Sequence, residues 1–218
     1  MPQDHEEMSG LQIPMRTSAV SLGVSGLVVA VGTPWHPSIF ARPVDQVVRD
    51  FGAWTLLHAL AVVIVMLALV GAAGLVAAHD GHLRSLGQVG LIVTAVGVMM
   101  AGSLTAIEAI VFPVLADQAP TLLDIDGPLL TSPLFIVMGV LALGWPLGLA
   151  LLGLAAARSR VFGRPPGLLL AGSGPLFLAL AGPFVPVAGV LSAVLFGGAQ
   201  MWWSWLLWRS VGQPRPLD

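Results

Sequence analysis

The chain has 218 residues, 56% of them hydrophobic and 9% charged, with a net charge of −2 and a mean hydropathy of +0.91. A soluble domain carries about 25% charged residues, so this chain belongs in a lipid bilayer, and the lack of any basic block argues against a nucleic-acid partner. Without cysteine there can be no disulfide, thiolate zinc site, iron–sulfur cluster or cysteine nucleophile.

Residues 1–16, with Asp4, His5, Glu6 and Glu7, form a polar tail expected in the cytoplasm. The acidic start does not fit a signal peptide, and the apolar run 17–34 ends at Trp35, an interfacial anchor, so it reads as a retained first span near the lower length limit of about 18 residues. Residues 35–50 read as a polar loop carrying His36, Arg42, Asp45, Arg49 and Asp50. A second span, 51–78, has Trp54 at its start and His58 one turn further in. The linker His79-Asp80-Gly81-His82-Leu83-Arg84 reads as a solvated turn. A third span covers 88–116, and an acidic loop with Asp117, Asp124 and Asp126 follows it.

The fourth span, 129–157, contains Gly144-Trp145-Pro146, where proline removes a backbone donor and should kink the helix. The last apolar run is too long for one crossing, and Gly182-Pro183-Phe184-Val185-Pro186 divides it into 167–183 and 186–208. A short tail, 209–218, remains. The expected fold is therefore all-α: a polytopic membrane bundle of six transmembrane helices with both termini cytoplasmic, in the inner or plasma membrane.

The arginines set this orientation. Arg16, Arg84, Arg158, Arg160, Arg164, Arg209 and Arg215 fall on the side of the termini, and only Arg42 and Arg49 on the other, as the positive-inside rule requires. Trp202, Trp203, Trp205 and Trp208 then read as a cytoplasmic aromatic belt.

The stretch Met-Met-Ala-Gly-Ser-Leu-Thr-Ala-Ile-Glu-Ala-Ile-Val-Phe-Pro, 99–113, places Glu108 inside a span. An ionisable group at membrane depth is costly and marks a functional site by default. Counting inward from the same surface puts His58 level with Glu108, and sequential antiparallel helices pack side by side, so a contact between the two is expected. Gly97, Ala101, Thr105 and Ala109 make a small-residue ridge beside Glu108, and Gly189, Ala193 and Gly197 make another. Such faces admit a second helix, within the chain or from an oligomeric partner.

Glu108, His58 and Thr105 are thus the candidate catalytic residues of an outward-opening pocket for a small or lipidic ligand, with Glu108 as proton donor. A different class of answer is a non-enzymatic membrane subunit or transporter in which the pair only clamps helices. His36, His58 and Glu108 are also candidate metal ligands, although no H-x-x-x-H or H-E-x-x-H spacing occurs. Haem would want a second histidine within a span, and no particular cofactor follows from these residues.

At Trp54-Thr-Leu-Leu-His58, Ala106-Ile-Glu108-Ala109 and Arg164-Pro165 the chain resembles a loose group of uncharacterised six-helix membrane proteins of GC-rich bacteria. The resemblance covers the order of helices and implies no activity.

Overall fold

The computed structural model describes residues 15–79 and 81–211. Most of the 1–16 tail, Asp80 and residues 212–218, including Arg215, lie outside them. A chain that is apolar on every side has no water to satisfy its backbone, so each buried segment satisfies its own by coiling. The result is α1 (Met15–Gly32), a 3-10 turn (Thr33–Trp35), α2 (Val44–Asp50), α3 (Trp54–Ala78) and α4 (Arg84–Gln118). Beyond a second 3-10 turn follow α5 (Pro133–Ala142), α6 (Gly144–Ser159), α7 (Pro165–Leu176), a π-helical turn (Phe177–Ala181) and α8 (Ala188–Ser210).

Five helical stretches are long and apolar enough to cross a membrane: Met15–Trp35, Trp54–Ala78, Arg84–Gln118, Pro133–Ser159 and Ala188–Ser210. The segment Pro165–Ala181 is apolar but shorter. The protein is thus a multi-pass helical membrane protein.

The helices close a ring in which α1 touches α3, α3 touches α4, α4 touches α6, α6 touches α7, α7 touches α8, and α8 returns to α1. Inside it, Leu22, Ile64, Leu75, Leu149, Leu152, Leu170, Phe196 and Trp203 form one buried core. Glycines set the crossings, because lipid offers apolar side chains no reason to associate and close packing must do the work. A Cβ on Gly97 would land on the backbone of Gly144 and Trp145, and one on Gly26 would meet the Gly197 carbonyl at 2.5 Å. At the second crossing the Ser25 hydroxyl also donates to Gln200 Oε1 at 3.0 Å.

Several expectations change. The loop 35–50 contains α2, whose Val44, Val47 and Val48 are buried against Trp54, Phe112 and Leu123; its apolar residues recur at helical spacing, so a short surface helix covers the end of the bundle. The ridge Gly189, Ala193 and Gly197 is buried, and its Gly197 meets α1, since the first and last helices close the ring. The tail expected to end at residue 16 gives way to α1 at Met15, and α3 begins at Trp54 rather than 51.

The linker histidine His79 is 1% exposed rather than solvated, packed on Phe162 and Trp203. Trp203, expected in the belt, is fully buried, while Trp202, Trp205 and Trp208 are exposed. The kink is present. α5 ends at Ala142 and α6 begins at Gly144, because Pro146 has no N–H to offer the carbonyl four residues back. No residue of α5 is buried.

Candidate functional site

At the end of the bundle away from Trp203, three elements bring their ionisable groups together. The turn Thr33–Trp35 folds the chain back after α1 and delivers His36 over the start of α3. His58 lies one turn into α3, where its ring stacks on Trp54 with 4.1 Å between centroids. Trp54 is in turn fixed by α4, donating from Nε1 to the Glu108 carbonyl at 2.7 Å.

The His36 and His58 Nε2 atoms are 3.2 Å apart, and Glu108 Oε2 is 3.5 Å from the same nitrogen of His58. The expected His58–Glu108 contact is therefore made, and His36 joins it from the loop. His36 also stacks on Phe184, 5.1 Å away and 29° from parallel.

Hydrogen bonding fixes the tautomers. His36 Nδ1 donates to the Pro37 carbonyl and His58 Nδ1 to the Trp54 carbonyl, each at 2.8 Å. A carbonyl only accepts, so both Nδ1 atoms carry hydrogen and both Nε2 atoms present lone pairs to each other when neutral. One added proton turns that opposition into a hydrogen bond. Glu108 approaches the same nitrogen, so a proton can pass from carboxyl to imidazole to imidazole with no ring changing tautomer at Nδ1. The members of this relay differ in surroundings: the Glu108 side chain at one end is 31% exposed, whereas that of His58 in the middle is 5% exposed.

His36 faces an open cavity of about 270 Å³ lined by Val29, Leu57, Ile64, Ala101, Thr105 and Phe177, among others. His58 and Glu108 are not among its lining residues, so the expected pocket floored by that pair is instead an apolar cavity reached through His36. Thr105 lines it and donates its hydroxyl to the Ala101 carbonyl of its own helix at 2.7 Å, so it is not turned to Glu108. The loop aspartates do not close the cavity. Asp50 pairs with Arg42 at 2.7 Å, and Asp45 with Arg49.

Among the described residues, no group of three or more His, Asp or Glu side chains is arranged to hold a metal ion. Haem does not fit between His36 and His58, because no macrocycle passes between nitrogens 3.2 Å apart.

Burial holds His36 below the ordinary histidine range, partly offset by its hydrogen bond to Pro37. His79 is lowered by the same desolvation, with the bond to Leu75 opposing it. Below about pH 6.5 the unfolded chain binds protons at these rings that the folded chain refuses, so stability falls as pH falls through that range. Thermal unfolding in detergent should therefore occur at a lower temperature at about pH 5 than at 7.5, and His79→Phe should remove part of the difference. Equal unfolding temperatures for the wild type would contradict this.

Sequence reasoning leaves His36 in the 35–50 loop with no stated contact to His58, because a loop residue has no periodicity to locate it. Gln200 carries a signal too, since an amide within an apolar run points to an interhelical bond, here the one it accepts from the buried Ser25. No protein family, curated protein or solved structure matches the chain.

Proposed function

We propose that the protein binds a small apolar or lipidic molecule in the cavity beside His36 and exchanges a proton with it through Glu108, His58 and His36. The observation that carries this reading is the double position of His36, which is at once part of the cavity wall and 3.2 Å from His58. A neutral Glu108 gives its proton to His58 Nε2 and becomes carboxylate; His58 passes that proton from the same nitrogen to His36 Nε2, and a turn of the His36 ring away from His58 then presents it to the ligand. Six crossings, with Pro165–Ala181 as the short one, and cytoplasmic ends for α1 and α8 accompany the proposal. The arginine distribution supports that orientation and turns the His36 end outward, in the inner or plasma membrane.

An apolar fluorescent probe tests it. Wild-type protein should bind the probe with an affinity that changes between about pH 5 and 8. Ala101→Leu, which fills the cavity, should abolish binding, whereas Glu108→Gln and His58→Ala should keep binding and lose its pH dependence. Unchanged pH dependence in a folded Glu108→Gln protein would overturn the relay. Unchanged affinity in Ala101→Leu would overturn the cavity as the site.

A second reading, in which the group only clamps α3 to α4, draws on the Trp54 bond to the Glu108 carbonyl and the stack beneath His58. It gives a lower unfolding temperature in both relay variants and no effect on probe binding at any pH. A functional acid, in contrast, often costs stability, so its removal is neutral or stabilising.

A further inference from the structure

A second cavity of about 140 Å³ lies on the other side of His36, lined by Pro34, Ser38, Val185, Pro186 and Val190, among others. Thr33, His36, Ala181 and Phe184 line both cavities. They are a partition one side chain thick, and the stacked His36 and Phe184 rings form its middle.

The two chambers differ in chemistry. The inner one is walled almost wholly by hydrocarbon, its polar groups being few and at the Thr33, His36 and Thr105 positions. The outer one adds the hydroxyl of Ser38 to the shared Thr33 and His36 within a much smaller space. No charged side chain lines either chamber. The two arginines of this end are engaged elsewhere, Arg42 with Asp50 and Arg49 with Asp45 and the Ala116 carbonyl. A phosphate or carboxylate head would thus meet no permanent cation, and burying an unpaired charge is strongly unfavourable.

The partition is held unusually. Phe184 has φ 56 and Val187 φ 60, and the Ala188 N–H closes a three-residue turn on the Pro186 carbonyl at 2.6 Å. Non-glycine residues in such regions cost about 1–3 kcal/mol each and cluster at ligand clamps and switches. The Phe184 ring also touches Phe40, 6.1 Å between centroids, so the outer loop and the α7–α8 turn meet on this one side chain.

We infer that the ligand is an uncharged single-chain amphiphile, a long-chain or prenyl alcohol in chemical class, with its hydrocarbon chain in the inner cavity and its hydroxyl in the outer chamber past the His36–Phe184 partition. The inference rests on the proposed ligand-binding role of the inner cavity and adds to it the nature of the head group. At about 270 Å³ the inner chamber is close to the lower limit of roughly 300 Å³ for small-molecule sites, room for one chain and not for the two of a phospholipid. Seating the ligand requires the Phe184 ring to swing aside while the helices stay in place.

Full-length protein in detergent, probed with dodecanol, dodecane and dodecyl phosphate against their partition into empty micelles, tests this. Dodecanol should bind about fivefold more tightly than dodecane, the worth of one neutral hydrogen bond, and dodecyl phosphate more weakly than both. Val190→Trp, which fills the outer chamber, should erase the advantage of the alcohol and leave dodecane binding intact. Phe184→Ala should speed dodecanol uptake, and should either of these two variants fail to fold, the other still decides. Equal binding of dodecane and dodecanol, with both lost in Ala101→Leu, would overturn the amphiphile and spare the cavity. Preference for the phosphate would do the same. If neither dodecane nor dodecanol binds, and Ala101→Leu changes nothing, both readings fall together.

Discussion

Gly97→Ala should cost about 3 kcal/mol or more of folding stability, although it adds a single methyl group in the middle of a helix. The added Cβ would overlap the backbone of Gly144 and Trp145, and backbone cannot rotate out of the way as a side chain can. α4 and α6 must therefore separate along a crossing where Gly148 also faces Thr94 backbone. The ring would open on the wall that carries Trp145, so the inner cavity should be disturbed with it.

Gly198→Ala is the matched control. Nothing lies within 4 Å of a Cβ there, and the substitution should stabilise by about 0.5–1 kcal/mol through lower helix entropy cost. Denaturant titration of both variants in one detergent checks the pair, and a Gly97→Ala protein as stable as wild type would show that the crossing is looser than described.

Trp203→Ala should be the most damaging of the four changes in the C-terminal tryptophan cluster. Its indole is fully buried between Phe162 and His79, at 5.6 Å from each ring, and Nε1 donates to the Pro166 carbonyl at 3.0 Å. Truncation of a buried tryptophan costs about 3–5 kcal/mol, with the value here near the lower end because lipid weakens the transfer contribution and leaves packing. Trp203→Phe keeps a ring and loses the hydrogen bond, so about 1 kcal/mol should separate it from wild type.

Trp202→Ala and Trp205→Ala remove rings that are 39% and 48% exposed, and they should stay within about 0.5 kcal/mol. Unfolding temperatures of the series read this out directly. A uniform small effect across all four would restore the belt for Trp203 as well.

What was legible in the sequence was what short-range rules control. The apolar runs, the break at Gly144-Trp145-Pro146 and the turn at Gly182–Pro186 follow from hydropathy and proline geometry; the break and the turn appear, and five of the six runs are helices long enough to cross. The His58–Glu108 contact followed from counting depth on sequential helices.

The rest depends on direction around a helix, and a helix that is apolar on every side gives no periodic signal for it. Trp203 and Trp202 are adjacent and equally hydrophobic, yet only one faces the core. α2 was visible in principle, since Val44, Val47 and Val48 share one face, but its seven residues were outweighed by the surrounding charges. His36 and the cavity needed the fold itself: α1, α3, α4 and the α7–α8 turn all contribute.

The closure of the ring by α1 and α8 has a consequence in time. Ser25 and Gln200, which hydrogen-bond across that seam, are 175 residues apart, and at ribosomal rates of about 5–20 residues per second the serine is made roughly 10–35 s before its amide. Throughout that interval the Ser25 hydroxyl has no α8 to receive it. α1 can meet α3 as soon as that helix is made, and the last helix to be synthesised then completes the structure of the first.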